Sequence, residues 1–245
     1  MKLIEDYPNK KLFAENHKIE YGQIYKFWSL SQKKIIKKGK VRFFKTHNAL
    51  LKVFDRDFTS PKFTLGTIYI VRDPRNVITS LKNHYDFPTY DVALKFMMHE
   101  GNYIWGQNND YAKSQFISSW KINYISWVKK NNYKKIMIKY EDLIREPEKI
   151  FKELVLFVDK ILNKNTKINE QKLKNAILTT NFENMKKVEK EVQFDERILA
   201  DKNNELKKFF FLGPENNWKK LLNVKTIQTI NEKFREELID LNYEI

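Results

Sequence analysis

The 245-residue sequence contains no cysteine, and it has only six glycines and six prolines. The absence of cysteine excludes disulfides and thiolate metal sites, and it is compatible with a reducing compartment. No apolar run approaches the roughly 18 residues that a membrane-spanning helix needs. Residues 1–11 contain no apolar core of signal-peptide length. The sequence therefore predicts a soluble, cytoplasmic protein with no membrane span and no metal site.

Arginine is also scarce, although the formal net charge is +15. It occurs only at positions 42, 56, 72, 75, 145, 197 and 235, so lysine supplies nearly all of the positive charge. Lysine is spread along the whole chain, whereas nucleic-acid-binding proteins more often gather arginine and lysine on one face among aromatic residues. Nucleic-acid binding is therefore the weaker alternative, but the charge would still attract an anionic ligand such as a nucleotide.

The remaining composition is that of a folded domain, with 42% hydrophobic and 14% aromatic residues. We find no internal repeat and no linker, so residues 1–245 are predicted to form a single domain. Strand patterns cover Val41–Lys45, Leu65–Val71 and Lys135–Tyr140. Helical patterns begin at Pro74 and Pro147 and extend over Thr89–Met98, Trp120 to Asn131, and Ile227–Leu241. This alternation predicts an α/β fold with a central, mainly parallel sheet flanked by helices.

One strand-to-helix junction is the most informative segment of the chain. Thr67 to Val71 is a β-branched and aromatic run typical of a buried strand. Asp73 and Pro74 then supply a helix N-cap and a first helical residue. Arg72 lies between them, at the carboxyl end of the strand, where open α/β sheets bind their ligands. A guanidinium can donate two parallel hydrogen bonds to two oxygens of a phosphate, so Arg72 is a candidate phosphate-binding residue. The alternative is that this segment is a strand-to-helix turn whose charges are solvated.

The segment Val-Arg-Asp-Pro-Arg-Asn-Val, with Ser80 eight residues after its first arginine, resembles a segment of the sulfotransferases. These enzymes use 3′-phosphoadenosine 5′-phosphosulfate (PAPS), and the matching segment binds the 3′-phosphate of the nucleotide. The resemblance implies that Arg72 and Ser80 hold this phosphate. It also implies the P-loop-kinase-like fold of that family.

Lys45-Thr46-His47 follows the first predicted strand and resembles a second sulfotransferase segment. A histidine can accept a proton near neutral pH, although an isolated loop histidine is more often a surface residue. The resemblance implies that His47 is the general base and that Lys45 contacts the transferring group.

Two later segments resemble the parts of the family that surround adenine, and a third resembles its last motif, which belongs to the 3′-phosphate site. Tyr140-Glu141-Asp142-Leu143 implies an adenine contact by Tyr140, and the segment from Thr179 to Lys187 implies contacts by Thr180 and Phe182. The alternative for Tyr140 and Phe182 is plain packing. Gly213 and Trp218 fit the family's last motif, but Phe211 and Leu212 occupy the places of its arginine and lysine. Lys207 and Lys208 lie nearby in a different register.

The motifs extend from about residue 41 to the C-terminus, and we find no Pro-Lys-Ser-Gly-type loop for the 5′-phosphosulfate in residues 1–40. The domain is therefore predicted to be N-terminally incomplete. Because a missing first strand would expose a sheet edge, we expect pairing with another chain, in a homo-oligomer or with a complementing chain. The implied reaction is transfer of a sulfuryl group from PAPS to a hydroxyl or amine of a small molecule or glycan. The product nucleotide is 3′-phosphoadenosine 5′-phosphate (PAP). The alternative is a catalytically impaired or truncated nucleotide-binding protein.

Overall fold

A computed structural model describes residues 4–7, 20, 22–35, 40–104, 114–129, 132–191 and 207–245. The strands are β1 Ile4–Asp6, β2 Phe43–Lys45, β3 Lys52–Val53, β4 Arg56–Asp57, β5 Thr67–Val71, β6 Tyr103–Ile104, β7 Gln115–Phe116 and β8 Lys135–Lys139. The helices are α1 Trp28–Ile35, α2 Pro74–His84, α3 Tyr90–Met98, α4 Trp120–Val128, α5 Tyr140–Arg145, α6 Pro147–Leu162, α7 Glu170–Thr179, α8 Phe182–Glu191, α9 Trp218–Leu221, α10 Val224–Lys233 and α11 Arg235–Asp240. The predicted α/β class is confirmed.

The chain divides into two compact units. The first unit consists of Met1–Thr67 and Met98–Lys135, and the second consists of Ile68–Met97 and Ile136–Ile245. The predicted helix starts at Pro74 and Pro147 agree with α2 and α6. No helix in the described ranges is both long enough and apolar enough to cross a membrane.

The first unit contains a strand that lies outside the sequence motifs. β1 pairs with β2 in parallel, so that Ile4 lies opposite Phe43 and Asp6 lies opposite Lys45. The first strand is therefore present, and the sheet begins well before residue 41. Residues 8–19 follow β1 and lie outside the described residues, so the predicted lack of a 5′-phosphosulfate loop there stays a prediction.

Aromatic side chains form the core of the first unit. Trp28 is fully buried and makes edge-to-face contacts with Phe58 and Phe116, at centroid distances of 5.2 and 5.9 Å. Phe58 makes the same kind of contact with Trp127 on α4. Such pairs contribute about 0.5–1.5 kcal/mol each beyond the area they bury. Burial raises the pKa of Tyr7 to about 12, an effect partly offset by hydrogen bonds with Ser31 and Gln32.

In the second unit, β5 pairs with β8, and each strand is followed directly by a helix. Asp73 caps α2, because its side chain accepts a hydrogen bond from the backbone N–H of Arg75. This confirms the predicted cap at Asp73 and Pro74. Apolar residues of α2, α10, α11 and the chain beyond them are almost completely buried, namely Ile78, Ile230, Leu238 and Leu241.

The C-terminal helical pattern is interrupted in the structure. A single helix was predicted over Ile227–Leu241, but α10 ends at Lys233 and α11 begins at Arg235. Phe234 lies between them with a non-helical ψ of 23°, and its side chain is buried. The apolar spacing continues through this break, so sequence periodicity could not reveal it.

Candidate functional site

Arg72 directly follows β5, and three groups of the second unit hold its guanidinium. Nη2 donates a hydrogen bond to the carbonyl oxygen of Gly213 at 3.0 Å, and Nη1 donates to Oγ of Ser80 at 3.4 Å. The guanidinium carbon lies 4.3 Å from the ring centre of Tyr140. The structure thus brings together four residues that the sequence motifs singled out in separate parts of the chain.

The guanidinium of Arg72 forms no direct salt bridge among the described residues, although the carboxylates of Glu141 and Asp73 lie close enough to act on its charge. Its buried Nε has no hydrogen-bond partner there. Burial lowers the pKa of Arg72, whereas the nearby charge of Glu141 acts in the opposite direction. A half-buried arginine with an unsatisfied donor requires an explanation, and an anionic ligand beside it would provide one.

Gly213 begins a 3₁₀ turn, Gly213–Glu215, and lies against the ring of Phe182. Its φ of +51° is a left-handed conformation that L side chains rarely adopt. A Cβ atom at this position would come within 2.2 Å of the Phe182 ring. Only glycine therefore lets the backbone approach the ring while its carbonyl oxygen accepts the hydrogen bond from Arg72.

Replacing Gly213 by alanine is expected to destabilise the protein by about 1–3 kcal/mol through this clash, with about 1–2 kcal/mol more from the left-handed backbone. The matched control is Gly22→Ala, because Gly22 has a φ of +70° but, apart from its chain neighbours, no atom of the described residues lies within 4 Å of the place that a Cβ would take. Urea unfolding should show a clearly larger loss for Gly213→Ala. Equal losses would mean that the Phe182 contact does not constrain this position.

Arg75 and Asp73 form a buried ion pair beneath the start of α2. Arg75 donates from Nε and Nη2 to the two carboxylate oxygens of Asp73, at 2.9 and 2.8 Å. Nη1 donates to Asn231 and to the carbonyl oxygen of Glu244, and the guanidinium carbon lies 4.1 Å from the ring centre of Trp218. This network ties the turn that carries Arg72 to the C-terminal part of the chain.

Glu141 holds the same turn from α5. One of its oxygens accepts a hydrogen bond from the backbone N–H of Asp73 at 3.2 Å, and the other accepts from the hydroxyl of Tyr243 at 2.7 Å. Burial and the hydrogen bond to Glu141 both raise the pKa of Tyr243. The turn after β5 is thereby linked to the first turn after β8, where Tyr140 lies.

Asn216 connects Ser80 to the preceding turn of α2. Its side chain is buried and donates to Oγ of Ser80 at 3.2 Å and to the carbonyl oxygen of Asn76 at 3.0 Å. The hydroxyl of Thr79 lies 2.7 Å from Oδ1 of Asn216 and 2.7 Å from the carbonyl oxygen of Asn76, so its one hydrogen is shared between these two acceptors. Asn216 belongs to no sequence motif. The local pattern there is the helix cap that the next residue, Asn217, provides for α9.

Thr180 and Lys207 bond to residues other than Arg72, and the adenine contact of Thr180 stays a prediction. Thr180 is exposed, and its hydroxyl donates to the carbonyl oxygen of Ala176. Lys207 forms an ion pair with Asp86, so it already has a carboxylate partner. Phe211 is 49% exposed, and its apolar ring cannot supply the charge of the arginine that the family has at this place.

His47 and Lys45 belong to the first unit. The side chain of His47 is exposed, and its backbone is held on both sides. Its N–H donates to Oε1 of Gln115 at 2.6 Å, and its carbonyl oxygen accepts a hydrogen bond from Asn123 at 3.1 Å. Lys45 is the last residue of β2 and pairs in register with Asp6. The loop that presents the imidazole is thus fixed by side chains from β7 and α4.

Comparison with known proteins gives a consistent result. A family model described as a sulfotransferase domain matches residues 5–242. A solved structure of mouse sulfotransferase SULT7A1 complexed with PAP is 20% identical with a TM-score of 0.56, and the match covers 84% of this chain and 69% of the mouse chain. A search of curated proteins gave no match.

Two structures of retinol dehydratase are also similar in fold. The complex with androsterone and the inactive cofactor PAP is 16% identical, with a TM-score of 0.54. The complex with retinol and PAP is 15% identical, with a TM-score of 0.57. Each match covers 88% of this chain but only 57% and 58% of the respective dehydratase chain.

The family match begins at residue 5 and so includes most of β1. The sequence motifs begin only at about residue 41 and do not include this strand. The family match spans nearly the whole chain and does not favour the nucleic-acid-binding or catalytically impaired alternatives. The parallel β1–β2 pair, the strand-to-helix junction at Arg72 and the family match lead to one conclusion. The chain belongs to the sulfotransferase family, the enzymes that transfer a sulfuryl group to an acceptor.

Proposed function

We propose that the second unit binds PAPS and that Arg72 and Ser80 hold its 3′-phosphate. The observation that supports this most strongly is the state of Arg72, which is half-buried and stacked on Tyr140 but lacks an ion-pair partner in the described ranges. A phosphate is dianionic and matches the fork of a guanidinium. Its binding would give the guanidinium a direct ion-pair partner, would supply an acceptor for Nε, and would accept a hydrogen bond from Ser80.

Adenine binds among the aromatic side chains next to this arginine. Tyr140 contacts Arg72 directly, and the half-buried Phe182 contacts Gly213, whose carbonyl oxygen is bonded to the same guanidinium. Stacking of an aromatic ring on a base contributes about 1–3 kcal/mol. Thr180 lies two residues before Phe182 and contacts the edge of the base.

The transfer itself is an in-line displacement at sulfur. His47 removes the proton from the acceptor hydroxyl or amine, and the acceptor atom forms the new bond to sulfur. The bond between sulfur and the bridging phosphate oxygen breaks, and PAP leaves with that oxygen. Lys45 neutralises the charge that develops on the bridging and equatorial oxygens, which is often the largest contribution to catalysis of such reactions.

The acceptor is a small molecule or glycan with a hydroxyl or amine. Two of the similar structures contain androsterone and retinol, which are small hydroxyl-bearing molecules. The family motifs and the sequence composition support a cytoplasmic enzyme. The presence of β1 beside β2 removes the missing strand as a reason to expect a homo-oligomer or a complementing chain.

Replacing Arg72 by alanine tests the nucleotide site. We expect the affinity for PAP to fall by about 1.5–3 kcal/mol, or roughly 10- to 150-fold, because a charge-assisted hydrogen bond is lost. Isothermal titration calorimetry with PAP and with adenosine 5′-monophosphate measures this, and only PAP binding should change strongly.

The control is Arg145→Ala, because Arg145 is a surface arginine whose side chain is 64% exposed. Its removal should leave the affinity for both nucleotides unchanged. Equal PAP affinity for Arg72→Ala and the wild type would refute the assignment of the 3′-phosphate to Arg72.

A further inference from the structure

The hydroxyl oxygen of Ser80 lies between two hydrogen-bond donors. Nη1 of Arg72 is 3.4 Å away and Nδ2 of Asn216 is 3.2 Å away. A hydroxyl has two acceptor lone pairs and one hydrogen. Both lone pairs of Ser80 are therefore engaged by protein donors, and within the described part of the chain its own hydrogen is donated to no acceptor.

The orientation of the Asn216 amide follows from its partners. The atom facing the carbonyl oxygen of Asn76 at 3.0 Å must be the nitrogen, because a carbonyl oxygen can only accept. The other atom, Oδ1, lies 2.7 Å from the hydroxyl of Thr79, which can donate. The amide nitrogen has two hydrogens, and these are directed at Asn76 and at Ser80. A flipped amide would place two acceptors face to face at Asn76.

The direction of the Ser80 hydrogen follows in turn. Because Asn216 and Arg72 both donate to Oγ, the O–H bond must point away from both of them. Ser80 is only half-buried, so the hydrogen is available to a ligand. A serine without these two donors could instead turn its hydrogen toward a protein acceptor and offer a lone pair to the phosphate, which would repel it.

We propose that Asn216 is a positioning residue that makes Ser80 a hydrogen-bond donor to a phosphate ester. The inference rests on the proposed PAPS site, and it deepens that proposal by adding a residue that acts through Ser80. The buried neutral amide is the side chain of Asn216. It lies close in sequence to Phe211 and Leu212, which carry no charge where the family has an arginine and a lysine. We expect selectivity for the 3′-phosphate to depend on hydrogen-bond direction as well as on the charge of Arg72.

A double-mutant cycle between Asn216 and Ser80 tests this. We expect Asn216→Ala and Ser80→Ala each to weaken PAP binding about 3- to 10-fold, the usual effect of losing one hydrogen bond. In the Ser80→Ala background, Asn216→Ala should have no further effect, because it acts through the hydroxyl that is already gone. Binding of adenosine 5′-monophosphate, which lacks the 3′-phosphate, should stay within about twofold.

The chain offers a matched charge control in the neighbouring residue. Asn216→Asp replaces the donor by a carboxylate that would accept the Ser80 hydrogen, and it should weaken PAP binding more than Asn216→Ala does. Asn217→Asp adds the same charge one residue later, at an exposed N-cap that aspartate fills equally well. This variant should bind PAP nearly as the wild type does.

Thr79→Val provides a second route if the Asn216 variants fold poorly. It removes a hydroxyl that lies 2.7 Å from both Oδ1 and the carbonyl oxygen of Asn76, and it leaves the amide itself in place. With the amide held less firmly, PAP binding should fall in the wild type and stay the same in the Ser80→Ala background. Thermal unfolding of each variant separates a binding effect from a loss of structure.

Three results would overturn the inference while leaving the nucleotide site intact. These are additive losses in the cycle, equal losses for PAP and adenosine 5′-monophosphate, and equal affinity of Asn216→Asp and Asn217→Asp. Each of these results counts only if Arg72→Ala shows its expected loss of PAP affinity, because that loss shows that the nucleotide site itself is present. If the wild type itself binds PAP no better than adenosine 5′-monophosphate, both the inference and the proposed function are wrong.

Discussion

Replacing Arg75 by alanine is expected to lower the free energy of unfolding by about 3–5 kcal/mol. The Arg75 side chain is 1% exposed and that of Asp73 is 6% exposed, so the variant would leave a buried carboxylate without its partner. Asn231 and the carbonyl oxygen of Glu244 would lose a donor at the same time. Because this network lies beneath Arg72, PAP binding should weaken as well.

Urea unfolding measures the effect, with Arg145→Ala as the matched control. Arg145 also forms an ion pair, with Asp142 at 2.5 Å, but it lies on the surface. Exposed pairs contribute about 0–1 kcal/mol. The double variant Asp73→Ala/Arg75→Ala should be less destabilised than the sum of the two single variants. A loss for Arg75→Ala as small as that for Arg145→Ala would contradict the role of the buried pair.

Replacing His47 by alanine is expected to lower kcat by about 100- to 10,000-fold, the usual contribution of a general base. The KM for PAPS should change little, since the role proposed for His47 is to act on the acceptor and not on the nucleotide. The loss should shrink at high pH, where the acceptor ionises without help. Transfer of labelled sulfate from PAPS to a panel of phenols, alcohols and amines would identify an acceptor and measure the rate.

His99→Ala is the control for this experiment, because His99 is an exposed histidine of the first unit and has no motif around it. We expect the His99→Ala variant to have the kcat of the wild type. Equal kcat for His47→Ala and His99→Ala would exclude His47 as the base. If the wild type transfers no sulfate to any acceptor of the panel, the catalytically impaired alternative would be favoured instead.

The sequence predicted the strands and helices whose formation depends on residues close together in the chain. β-branched runs predicted β5 and β8 to within two residues, and Asp73-Pro74 predicted the start of α2. The two-residue strands β3, β4, β6 and β7 are too short to show an alternating pattern, so they could not be found. β1 was missed for a similar reason, because three residues show no clear periodicity and only pairing with β2 defines them as a strand.

The candidate site was only partly accessible from the sequence. The motifs singled out Arg72, Ser80, Tyr140 and Gly213, and the structure brings these residues together. Asn216 and Tyr243 help to hold them in place but gave no pattern, since both are ordinary polar residues in ordinary local contexts. Glu141 lies within the Tyr140 segment, but nothing in the sequence marked it as a partner of Asp73 and Tyr243. The roles of these residues as partners appear only in hydrogen bonds between segments that are distant along the chain.

The sequence by itself determined the chemistry that is available and the local conformation around it, namely an arginine at the end of a strand, a capped helix and a serine two turns further on. These depend on interactions between residues close together in the chain, which composition and spacing report. The tertiary structure alone decided the partners, because Gly213 lies 141 positions after Arg72 and Asn216 lies 136 positions after Ser80. Contacts over such separations depend on which buried surfaces pack together, and no spacing rule in the sequence encodes that choice.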